Sequence, residues 1–145
     1  MLYRKEIKMK LFKNLILPLG VLLLIHSPSF ALGEKPNSED LIGKIICRDA
    51  MDPSDTTSFR FSLLKKGTIS GNGNFSGASA NFDLASGTWK LTGSYIEVTL
   101  VFNGKTYGPE GIKSSTRRLG LKIPSADLLA DNAECFVYGN ALKWK

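Results

Sequence analysis

Apolar residues at every second position, in one run after another, constrain this chain more than any other feature. Phe59, Phe61 and Leu63 alternate with Ser58, Arg60 and Ser62. Ile96, Val98, Leu100 and Phe102 alternate with Tyr95, Glu97, Thr99 and Val101, and Leu119, Leu121 and Ile123 with Gly120 and Lys122. Successive side chains of a strand point to opposite faces, so each run describes a strand with one face buried and the other wet. Helical periodicity is almost absent after Leu41. The exception is SADLLADN, residues 125–132, which predicts one or two helical turns capped by Ser125.

Turn chemistry separates the runs. Lys66-Gly67, Ser86-Gly87, Gly93-Ser94 and Asn103-Gly104 all lie between apolar stretches. Asn-Gly suits a type I′ hairpin turn, whose two central residues have positive φ, and Gly-Ser suits type II′. The pattern predicts strands near 42–49, 57–65, 68–76, 79–85, 88–92, 95–102, 105–107, 111–123 and 133–143. The expected fold is all-β, an antiparallel up-and-down meander of about eight strands closed as a barrel, with a β-sandwich as the alternative.

The N-terminus bears on compartment. Residues 11–25 are an apolar run preceded by Arg4, Lys5, Lys8, Lys10 and Lys13, and it ends at Ser29-Phe30-Ala31. This is the pattern of a secretory signal peptide over 1–31, followed by a flexible arm over 32–40 and the barrel domain over 41–145. The run is short for a membrane span, and SFALG contains no cysteine for a lipid anchor. The protein is therefore expected to be exported, periplasmic or secreted, with no membrane span in the mature chain.

Removal of that segment changes the chemistry. The one histidine of the chain, His26, leaves with it, and with it the usual general base and commonest metal ligand. Residues 1–31 hold five of the 19 basic residues and one of the 13 acidic ones, so the remainder has 14 against 12, or +2. A nucleic-acid reading based on the full-chain charge of +6 would rest on discarded residues. Two cysteines remain, Cys47 and Cys135, and an even count in an exported chain predicts a disulfide. It would staple the seam between first and last strands, and closing so long a loop is worth about 4 to 4.7 kcal/mol.

Gly87-Thr88-Trp89-Lys90-Leu91, followed by Gly93-Ser94 and the alternating run from Tyr95 to Leu100, resembles a hairpin of small bacterial lipocalin-like (calycin-type) barrels. Phe59-x-Phe61 followed by Gly67 resembles their strand-turn-strand opening. The resemblance implies a lipocalin-like barrel. It also brings in barrel-type protease inhibitors of that class, whose N-terminal arm enters the protease cleft, a position that residues 32–40 share.

The inward residues Phe59, Phe61, Trp89, Ile96, Val98, Leu100 and Phe102 are the candidate lining of an apolar or amphipathic ligand site. Asp49, Asp52 and Asp55 read as a solvated loop rather than a calcium site, and the glycine-rich stretch 70–77 as a hairpin or bulge. Lys113, Arg117 and Arg118 could form a cationic patch beside Tyr107, and Trp144 could be an exposed anchor or a cap on the barrel end. Asp83 and Glu97 are the only acids of the central meander, and both are expected to face solvent. No catalytic residue, cofactor or metal is expected. The expected function is non-enzymatic: an exported protein holding a small apolar ligand, or alternatively a protein-interaction module that inhibits an exported enzyme.

Overall fold

The computed structural model describes residues 36–50, 56–130 and 132–145. The signal-peptide stretch, the start of the arm, and Asp52 and Asp55 lie outside the described residues. The strands are β1 (Ile45–Arg48), β2 (Thr57–Leu63), β3 (Ile69–Gly77), β4 (Ala80–Thr92), β5 (Tyr95–Gly108), β6 (Gly111–Pro124), β7 (Phe136–Val137) and β8 (Lys143–Trp144), with the helix α1 (Ser125–Ala130) after β6. They form a single sheet in the order β7-β1-β2-β3-β4-β5-β6-β8. From β1 to β6 each strand is antiparallel to the next, as the meander reading requires. The sheet curls into a half-barrel, so the sandwich alternative falls away.

Two expected turns are not turns. Residues 80–92 form one strand, with a register shift between Leu84 and Ser86 that leaves Ala85 as an extra residue. Before the bulge Phe82 and Leu84 face inward; after it Trp89 and Leu91 do, so the alternation changes from even to odd positions. A bulge re-aims side chains in this way and adds twist, which helps the sheet to curl. Asn103-Gly104 likewise lies within β5, opposite Thr116-Ser115. There a Cβ on Gly104 would stand 2.0 Å from the Asn81 carbonyl oxygen, so the glycine serves close approach of β4 rather than a turn. The hairpin tip is instead Pro109-Glu110, between Gly108 and Gly111. Lys66-Gly67, with φ of 63° and 72°, and Gly93-Ser94 do turn the chain as expected.

The seam differs from a simple barrel closure. Residues 133–143, expected as one last strand, give only β7, which is parallel to β1, and the start of β8, which is antiparallel to β6. Residues 138–142 connect the two. The C-terminal segment thus passes from one edge of the sheet to the other, and so short a link reaches at most about 20 Å. Cys47 and Cys135 form the expected disulfide, with Cα atoms 5.9 Å apart, tying β1 to the residue before β7. Beside it the Tyr138 amide donates to the Cys47 carbonyl, and Arg48 Nη1 donates to the Asn140 carbonyl at 2.6 Å.

One end of the sheet is covered by two short helical pieces, Ser38–Leu41 and α1, which touch each other. Ser38–Leu41 form a 3-10 turn, so the last residues of the stretch expected as a flexible arm, 38–40, are ordered against the domain. Asn37 Oδ1 accepts from the Glu39 amide there, and Leu41 is buried in the core. Beside it, the Ser125 hydroxyl donates to the Ser94 carbonyl at 3.0 Å, tying α1 to the β4–β5 turn.

Candidate functional site

The seven residues expected to line a ligand site are all buried and all belong to one apolar cluster. Alternation puts them on the concave face, and register sets them side by side: Trp89 opposite Val98, and Val98 opposite Leu121. Leu41, Ile46, Leu63, Phe82, Leu119, Leu121, Ile123 and Leu128 are buried in the same cluster. The Phe59 and Phe61 rings meet at a 40° tilt, 5.6 Å between centroids. The Trp89 indole N–H donates to the Leu64 carbonyl at 2.8 Å, which fixes the ring. Trp144 meets Phe75 and Phe102 edge-on, at 5.3 and 5.4 Å, so it caps the core.

The cationic trio does not gather into one patch. Arg117 turns inward, its guanidinium 5.2 Å from the centre of the Phe82 ring, while Lys113 pairs with Glu110 at the hairpin tip. Arg118 lies on the opposite face of β6 and gives its carbonyl to the Lys145 amide. Tyr107 and Ile112 are exposed and face each other across the β5–β6 ladder.

A different cationic group forms on the convex face, where four strands bring their outward residues together. Thr88 and Lys90 of β4, Glu97 and Thr99 of β5, Gly120 and Lys122 of β6, and Lys143 and Lys145 around β8 line a cleft of about 790 Å³. Thr88, Thr99, Gly120 and Lys143 form one row across the strands, and Lys90, Glu97 and Lys122 form the next. Lys90 Nζ lies 3.0 Å from the Glu97 carboxylate, and Lys122 Nζ lies 4.4 Å above the Tyr95 ring. The hydrogen bond from Lys90 holds the Glu97 carboxyl below its usual value. The charges of Lys90, Lys122 and Lys145 act the same way, against a desolvation that raises it.

The convex face of β1–β3 is electrically different. Its cleft of about 480 Å³ is lined by Asp49, Arg60 and Asp83 among others, so charges of both signs occur in it. Arg60 pairs there with Glu134 at 3.3 Å, and the Asn74 amide donates to Asp83 at 3.3 Å. Asp83 is exposed and Glu97 half-buried, both on the outer face.

Sequence reasoning missed the lysine cleft, because it depends on β8 landing beside β6. The signal that could have found it is Lys143-Trp144-Lys145, a short alternation with an apolar centre. Among the described residues no group of three or more His, Cys, Asp or Glu could hold a metal ion, and no helix is long and apolar enough to cross a membrane. Comparison with family models, with curated proteins and with solved structures finds no match.

Proposed function

We propose that this protein is an exported, non-enzymatic interaction module that meets a protein partner with its outer surface. The supporting observation is that Phe59, Phe61, Trp89, Ile96, Val98, Leu100 and Phe102 pack against one another and their neighbours in a continuous core. Side chains at native packing density leave little room for a cargo. Inhibition of an exported enzyme fits such a module, with the residues ahead of the Ser38–Leu41 turn as the inserting segment.

A second reading is carriage of a small apolar ligand inside the half-barrel. It draws on the way the open side is bridged, by residues 138–142 and a few point contacts rather than a continuous ladder.

Native mass spectrometry of protein purified from its own host separates the two. The interaction reading expects the bare mass of the oxidised chain. A bound apolar molecule in most copies would replace it with the second reading. Inhibition assays on a panel of exported proteases then test the arm: removal of residues 32–36 should abolish inhibition while leaving the melting temperature unchanged.

A further inference from the structure

The lysine cleft on the convex face is not used by either functional reading. We propose that it is a binding site for a compact ligand carrying several oxyanion groups, phosphate or carboxylate, seated over Thr88, Thr99 and Gly120. The proposal is independent of the partner reading above, because it concerns the convex face of β4–β6 beside β8, whereas that reading assigns insertion to the residues ahead of the Ser38–Leu41 turn.

Charge is the first argument. Four lysines surround the cleft and one carboxylate, Glu97, faces them. Glu97 satisfies Lys90 through its ion pair, and Lys122, Lys143 and Lys145 remain to supply positive potential. After the Lys90 hydrogen bond, which is the largest cause, the charges of Lys122 and Lys145 also reach the Glu97 carboxyl and lower it. Lysines placed merely to protect a sheet from edge pairing would not need to converge on one concavity. The β1–β3 cleft of the same face shows the ordinary case, with charges of both signs intermixed.

Shape is the second argument. The volume of about 790 Å³ falls within the range usual for small-molecule sites. The floor is low because Gly120 carries no side chain, and the Lys145 side chain lies across it. A Cβ at that position would stand 2.8 Å from Lys145 Cε and 3.0 Å from Nζ. Glycine thus lets the Lys145 ammonium group lie over Gly120, in the row that continues to Thr99 and Thr88, both of which line the cleft. The cleft's cations are all lysines. They act as mobile point charges on phosphate or carboxylate, without the planar fork through which arginine selects one geometry.

The test is a titration of the oxidised mature chain at low salt, followed by the amide resonances of Thr88, Thr99 and Gly120. The probes are inorganic tripolyphosphate, tricarballylate and a hepta-glutamate peptide. Saturable shifts confined to this row with either small anion support the proposal, and the stronger of the two identifies phosphate or carboxylate as the preferred group. Lys122→Gln with Lys145→Gln should weaken binding about ten-fold or more, and Gly120→Ala should weaken it by displacing Lys145. Lys65→Gln, outside the cleft, should bind unchanged. Thermal melts show whether each variant folds, and surface changes of this kind leave stability nearly untouched. The proposal is overturned by any of three results: no saturable shifts, equal loss in Lys65→Gln, or binding of the peptide with neither small anion.

Discussion

The β4–β5–β6 ribbon and the C-terminal segment 133–145 belong to one sheet, yet different physics holds each in place. The ribbon is a pair of long hairpins whose pairing grows outward from the turns, with no partners further apart in sequence than Tyr95 and Pro124, and its apolar positions repeat with the pleat. The segment forms two-residue strands at opposite edges, positioned by a disulfide spanning 88 residues, a backbone contact to Arg48 and one tryptophan. Local pairing builds the first region. Long-range tethers build the second, and these incur loop-closure entropy before any contact forms.

The sharpest way to break this contrast is to cut the tether. Cys47→Ala with Cys135→Ala should lower unfolding free energy by about 4.5 kcal/mol, the chain-entropy value for a loop of this length, measured by denaturant titration. The far-UV spectrum of the folded fraction should keep its strand signature. A loss below about 1 kcal/mol would mean that contacts, and not the sulfur bridge, seat the segment.

Truncation within the ribbon's core comes next. Phe102→Ala removes a fully buried ring in contact with Trp144 and should cost about 4 kcal/mol. Trp144→Ala removes a half-buried ring and should cost about 1 to 2 kcal/mol. Measured together, the two substitutions should be non-additive, because the rings touch. Additivity would show that the segment and the ribbon core are energetically separate.

The smallest effect concerns pH. The Glu97 carboxyl is lower in the folded than in the unfolded chain, so its contribution is present above its usual value near 4.5. That contribution is lost as pH falls through the folded value. The difference in melting temperature between the wild type and Glu97→Gln should therefore be seen at pH 6 and shrink as the pH is taken progressively below 4.5. A constant difference would detach Glu97 from acid unfolding.

The same contrast explains what could be read from the chain. The runs at 59–63, 96–102 and 119–123 show their inward faces because the period of a strand is a local property. Ala85 hid the continuity of β4, since an inserted residue changes the phase and Ser86-Gly87 then resembles a turn. Gly104 misled for another reason: the same residue type that permits positive φ also permits close backbone approach, and neighbours in space decide which applies. β7 and β8 are too short for a sustained period, so the cysteine pair and Trp144 were the hints to where residues 133–145 would lie. The interior set was legible from alternation alone. The lysine cleft was not, because its four strands meet only once β8 has crossed to β6.

The passage of one short stretch between both margins of the sheet bears on how copies of this protein behave in a crowd. Growth of a cross-chain fibril begins where a strand offers unsatisfied amides to a newcomer. Here β7 and β8 occupy part of each such margin, so a fibril starting there must first displace the molecule's own tail.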